Sequence, residues 1–199
     1  MSSRTANFSG VYCGPASVGR GIFAGQRFEA GSVVFALEGE LMSLQEILRK
    51  GDAAANAFQM DRDLYLYPVT LEGRFVNHSC APNAGLREDH QMIALRDIEP
   101  GDEIRFDYST CMSEQFWTMD CYCGERGCRG VITDFHELQP SLQAHYLSLG
   151  VVQRFIIREI MDRSGQPVDT DVPLERISPL TLRPRPLSNT LGRPVPHVA

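Results

Sequence analysis

Lysine is almost missing from this chain: Lys50 stands alone among 19 basic residues, and the other 18 are arginine. Tryptophan occurs once, as Trp117. No apolar run reaches the roughly 18 residues of a membrane-crossing helix. The opening MSSRTANFSG also lacks the apolar region of a signal peptide, so neither a span nor export is expected. Positive charge is in deficit, with a formal net charge of −6. That balance speaks against direct nucleic-acid binding and for a basic partner. The expected setting is intracellular, in a bacterial cytoplasm. With 43% hydrophobic residues in 199, the chain has material for one domain and a tail.

Six cysteines remain to be explained: Cys13, Cys80, Cys111, Cys121, Cys123 and Cys128. Disulfides are not expected in a reducing compartment. Scattered buried thiols account for Cys13 and Cys111. They do not account for the C-x-C-x4-C run at 121–128, where a Gly-rich loop has no core to fill. Thiolates suit zinc, which needs four ligands in a tetrahedron. Spacing alone leaves the fourth open among Cys80, Cys111 and the five histidines, and it leaves a cluster of free or redox-active thiols as the alternative.

Turn residues punctuate residues 10–41, with strands expected around Gly21-Ile22-Phe23 and 33–37. Ser43 and Glu46 form a capping box that predicts a helix over about 44–50, with Met42 and Ile47 as its staple. An aromatic strand is expected over 63–69, ending near Pro68. QMIALRDIEPGDEIRFDY (91–108) reads as two strands joined at Glu99-Pro100-Gly101-Asp102. A near-copy of that turn, Phe28-Glu29-Ala30-Gly31, occurs earlier. Helical periodicity runs from Pro140 to Arg163 with a break at Gly150. From Ser164 onward the chain carries seven of its 12 prolines, the composition of a disordered tail.

Three short motifs carry polar chemistry. RFVNHSC (74–80) leads from apolar residues straight into an amide, an imidazole, a hydroxyl and a thiol. It fits a capping turn, a metal site or the floor of a cofactor pocket. Gly19-Arg20-Gly21 lacks the helix that follows a dinucleotide fingerprint, so that reading fails. Tyr108 closes a strand, where a lone tyrosine is ordinarily core or interface.

In order along the chain, these segments resemble the SET-domain family of protein-lysine methyltransferases. GRGIFA (19–24) is similar to its N-terminal glycine strand, and RFVNHSCAPN (74–83) to its R-F-[IL]-N-H-S-C-x-P-N motif. ALRDIEPGDEIRFDY (94–108) resembles the strand and turn ending in its catalytic tyrosine. DCYCGERGCRG (120–130) resembles its post-SET loop. The stretch between Tyr65 and Arg74 is shorter than in the family, with Tyr67-Pro68 in place of the common Ile-Asp.

The resemblance implies a mainly β fold with some α: small sheets around a knot-like core, a post-SET zinc loop and C-terminal helices. The corresponding divisions are 1–115 for the SET domain, 116–135 for the loop, 136–163 for a helical segment and 164–199 for the tail. It implies S-adenosylmethionine as methyl donor, held by Gly19, Arg20, Gly21, Arg74, Asn77, His78 and Tyr108. Tyr108 would be catalytic, with Tyr65, Tyr67 and Phe106 lining the lysine channel. For Tyr65 and Tyr67 an ordinary aromatic core strand is the competing reading. Structural zinc would be held by Cys80, Cys121, Cys123 and Cys128. The implied partner is a basic, lysine-bearing protein such as a histone, with no membrane. A zinc-stabilised module that binds basic peptides without turnover is the alternative.

Overall fold

A computed structural model describes residues 10–115 and 117–164. Its strands are β1 (Val11–Pro15), β2 (Arg20–Ala24), β3 (Val33–Ala36), β4 (Gly39–Met42), β5 (Phe58–Asp61), β6 (Leu64–Pro68), β7 (Asn77–His78), β8 (Ala84–Arg87), β9 (Gln91–Ala94), β10 (Glu103–Phe106), β11 (Met119–Asp120) and β12 (Val131–Ile132). The α-helices are α1 (Leu44–Leu48), α2 (Leu71–Phe75), α3 (Pro140–Leu149) and α4 (Arg154–Ser164). Apart from Ser164, the expected tail lies outside the described residues.

The strands form small sheets ordered β1-β2-β10-β7, β3-β9-β8 and β4-β6-β5, with β11 and β12 paired at the base of the cysteine loop. β9 and β10 follow one another but do not pair. The near-repeated turns explain why. Phe28 and Ile98 exchange both backbone hydrogen bonds at 2.9 Å, and Gly31 and Gly101 both have positive φ, +84° and +93°. The turns therefore cross back to back. β3, after the first turn, pairs with β9, before the second; β10, after the second, pairs with β2, before the first. A local sequence repeat thus becomes a long-range contact.

Local rules hold where they are strong. Ser43 caps α1 with both halves of the capping box in place. Gly150, at φ +66°, ends α3 in the left-handed conformation that favours glycine. The main core gathers Ile22, Leu66, Leu86, Met92, Ile98, Ile104 and Phe106. A second, with Phe135, Tyr146, Val151, Phe155 and Ile156, joins the C-terminal helices to β9 through Ile93. α4 is tied to the β8–β9 turn, where the Asp89 carboxylate accepts the Arg154 N–H at 2.7 Å. Among the described residues no helix is long and apolar enough to cross a membrane.

Candidate active site and metal centre

β7 is two residues long and lies parallel to β10, pairing Asn77 with Arg105 and His78 with Phe106. Beyond it the chain stays against the same strand. The Ser79 N–H donates to the Phe106 carbonyl at 2.9 Å. Asn83 then grips β10 twice, donating to the Glu103 carbonyl and accepting the Arg105 N–H, each at 2.8 Å. The polar run of the sequence is therefore a strap along β10, the strand that leads into Tyr108.

The Asn77 side chain holds protein. Its amide donates to the Arg20 carbonyl at 2.9 Å, the Val18 carbonyl at 3.3 Å and the Glu103 carboxylate at 2.8 Å, fixing the glycine turn to the strap. At Gly21 a Cβ would run into Glu103 Oε1 and stand 2.9 Å from Ala16 Cβ, so a side chain there forces its neighbours to shift. Gly19 needs its φ of +58° and has open space where a Cβ would stand. The Arg20 guanidinium lies 4.7 Å over the Phe75 ring. Arg74 donates to the Pro68 carbonyl at 3.1 Å, and its guanidinium stands 5.8 Å from the Tyr67 ring.

Tyr108 is half-buried, its ring 5.0 Å from Phe106 and edge-on to His78 at 5.3 Å. Its hydroxyl donates to the Val76 carbonyl at 2.9 Å. Burial pushes its phenol well above the usual range, so it is a neutral hydroxyl at physiological pH. Phe106 is buried and also stacks on Phe58. Tyr65 and Tyr67 share one face of β6 by strand alternation. Tyr65 is buried, and burial, then the adjoining Glu114 carboxyl, raise its phenol strongly. Tyr67 is capped by Lys50, whose ammonium stands 4.0 Å from the ring centroid.

His78 joins the tyrosine to the cysteines. Its Nδ1 accepts the Tyr108 N–H at 3.2 Å, and its Nε2 is 3.3 Å from Cys80 Sγ. Burial lowers its pKa to about 4, so the ring is neutral. With Nδ1 accepting, the ring proton sits on Nε2 and points at the sulfur. Donor atoms of His78, Cys80, Cys121 and Cys123 all lie within 4.8 Å of one another, a group able to hold a metal ion. Cys128 stands beside this group, its thiol interacting with those of Cys121 and Cys123. Its sulfur accepts the Gly130 N–H at 3.4 Å. Burial pushes Cys80 up to about 11. Cys123 is brought down to about 7: burial opposes this, but backbone hydrogen bonds from Cys80 and Glu125 outweigh it.

Two groups that motif reading missed fasten the loop. Arg105, on β10, donates to Glu125 at 2.7 Å and to the Cys123 carbonyl at 3.1 Å. Asp107, between Phe106 and Tyr108, is buried and accepts both Arg129 Nη groups at 2.7 and 2.8 Å. It also accepts the Tyr146 hydroxyl at 2.8 Å and the Ser109 N–H at 3.1 Å. A charged residue between two aromatic ones, Phe106 and Tyr108, was the available signal.

Residues 19–109 match the family model described as SET domain. The chain is 33% identical over 134 residues to the histone-lysine N-methyltransferase TRX1 of Oryza sativa subsp. japonica, covering 58% of this chain and 13% of that protein. It is 32% identical over 127 residues to histone-lysine N-methyltransferase 2B of Homo sapiens, covering 56% and 5%. Similarity to the H3 lysine-4 specific histone-lysine N-methyltransferase of Schizosaccharomyces pombe is 30% over 129 residues, covering 56% and 14%. The chain thus spans a small fraction of the curated relatives it matches. With the glycine turn, the strap and Tyr108 assembled as above, residues 19–109 are a SET domain, homologous to those of histone-lysine methyltransferases.

Proposed function

We propose that this protein transfers methyl groups from S-adenosylmethionine to lysine side chains of a histone or histone-like basic protein, with a structural zinc closing the site. The observation that carries the reading is the state of Tyr108. It is a neutral phenol whose proton goes to the Val76 carbonyl, which leaves its oxygen lone pairs to orient an incoming amine.

The donor fits the residues present. Open space beside Gly19 and the exposed Arg20 guanidinium suit a small zwitterion with a carboxylate. Both His78 ring nitrogens are already engaged, so its contribution to such a ligand would come from backbone. When bound, S-adenosylmethionine supplies a methyl activated on a sulfonium. The protein's task is alignment and exclusion of water. A lysine ammonium cannot attack, and its neutral form at pH 7 costs about 4–5 kcal/mol. Buried apolar rings such as Phe106 and a nearby cation lower that cost by depressing the lysine pKa. Tyr108 is no base for the departing proton, because its own pKa is raised; the proton leaves to solvent before attack.

Zinc by Cys80, Cys121, Cys123 and Cys128 is supported by spacing and by proton placement. Four sulfurs about 2.3 Å from a tetrahedral centre lie about 3.8 Å apart. Cys80 and Cys121 Sγ are 3.8 Å apart. His78 competes with Cys128 for the fourth place in the cluster. Because its Nε2 carries the proton, it serves better as a hydrogen-bond donor to the Cys80 thiolate than as a ligand.

The test is incubation of the purified protein with methyl-labelled S-adenosylmethionine and a panel of histones and other basic proteins, with the label located by mass spectrometry. Methyl on lysine Nζ is expected. Tyr108→Phe should lower kcat at least about tenfold while cofactor binding survives. Peptide binding without transfer across the panel would overturn the enzymatic reading in favour of a recognition module.

A further inference from the structure

We infer that Tyr146, on α3 and outside the SET match, is a positioning residue for Tyr108, acting through the Asp107 carboxylate. This rests on the methyltransferase reading for its effect on turnover. Asp107 caps the 310 turn Tyr108–Cys111: its Oδ1 accepts the Ser109 N–H, and its carbonyl accepts both the N–H and the hydroxyl of Thr110 at 3.0 and 2.7 Å. The orientation of that carboxylate therefore sets the turn on which Tyr108 is mounted. Within the turn Tyr108 has one backbone donor, and it goes to His78. Among the described residues, none between 19 and 109 donates to Asp107 Oδ2. Its partners come from Arg129 in the cysteine loop and from Tyr146.

Tyr146 is itself fixed. It is buried in the second core with Phe135, Val151 and Phe155, and its carbonyl accepts the Val151 N–H at 3.3 Å across the end of α3. The connection from α3 to α4 reaches the turn a second time: the Gln153 N–H donates to the Thr110 carbonyl at 3.0 Å. Contacts from α3 onto the cap of the turn and from the α3–α4 connection onto the turn itself define its orientation as well as its distance. A tyrosine that merely anchored α3 would need only the packing of its ring.

Tyr146→Phe keeps that ring and removes the hydroxyl. With ring-13C-labelled tyrosine, the Tyr108 resonance, assigned by its loss in Tyr108→Phe, should move in Tyr146→Phe. kcat should fall about fivefold, with the Kd for S-adenosylmethionine and the metal content unchanged. In the Tyr108→Phe background the same change should have no further effect on kcat, since the group it positions is gone. An unmoved resonance with kcat within twofold of the natural protein would overturn the inference, as would full additivity of the two substitutions. If the natural protein transfers no methyl to any substrate, the methyltransferase reading fails, and the Tyr108 resonance alone still decides whether Tyr146 positions it.

Discussion

Removing the Arg129 side chain is the sharpest perturbation of the fold, because its partner has no route to water. The Asp107 side chain is 0% exposed and that of Arg129 20% exposed, so the two halves of the pair are unequal. Arg129→Ala strands a carboxylate inside the protein with the Tyr146 hydroxyl, the Ser109 N–H and a His78 ring that burial keeps neutral, its Nδ1 3.5 Å from Oδ1. Breaking a buried pair in this way costs about 3–5 kcal/mol. At about 2–4 °C per kcal/mol for a domain of this size, the midpoint should drop by roughly 6–20 °C. Asp107→Asn leaves the cation instead, and Arg129 can turn to solvent, so its cost should be smaller. The double variant should recover part of what Arg129→Ala loses, a negative coupling that only a stranded charge produces. Urea unfolding of the four proteins at fixed metal concentration measures all three differences. Equal costs for the two single variants, or a loss below about 1 kcal/mol for Arg129→Ala, would refute a desolvated Asp107 as the source of the energy.

Three other outcomes follow from the site. Cys80→Ser should lower metal content and cofactor affinity together, because Cys80 lies in the strap as well as in the sulfur cluster; metal analysis and titration calorimetry read both, and loss on Cys111→Ser instead would refute the ligand set. Phe106→Tyr should shift product from di- or trimethyl-lysine toward monomethyl-lysine, since a hydroxyl on a ring 5.0 Å from Tyr108 can anchor a water where further methyls would turn; long-time mass spectra decide it, and a natural enzyme that stops at one methyl refutes it. Any lysine self-methylation must fall on Lys50, which already lies over Tyr67, so label on the Lys50→Arg protein without added substrate would reveal another nucleophile.

Sequence reading reached those parts of the fold that depend on neighbours in the chain. Ser43 and Glu46 are three residues apart, and the helix they announce begins where expected. Gly150 stops α3 because a left-handed residue was needed there. The repeated turn was visible as a repeat, but its pairing of Phe28 with Ile98 spans 70 residues and leaves no local trace. Asn77 was legible as a polar residue at a pocket; that its amide is spent on the Val18 and Arg20 carbonyls depends on β1, β2 and β10 meeting. The cysteine cluster was legible by spacing, whereas the claim of His78 on the fourth position depends on a two-residue strand turning its ring under Cys80.

Asp107 shows how the folding unit differs from the matched segment. The family match ends at residue 109, two residues into the 310 helix that bears Tyr108. Yet the buried carboxylate at its head is neutralised from residue 129 and hydrogen-bonded from residue 146. The Arg129 backbone N–H also reaches Cys80 Sγ at 3.4 Å, so the residue that neutralises Asp107 is held by the sulfur cluster. The sulfur cluster, the helix packing at Tyr146 and the placement of Tyr108 consequently share one buried charge. A charge that must be paired to stay buried makes those three events cooperative. The described residues beyond 109, through Arg129, Tyr146 and Gln153, are part of the structure that holds Tyr108 in place.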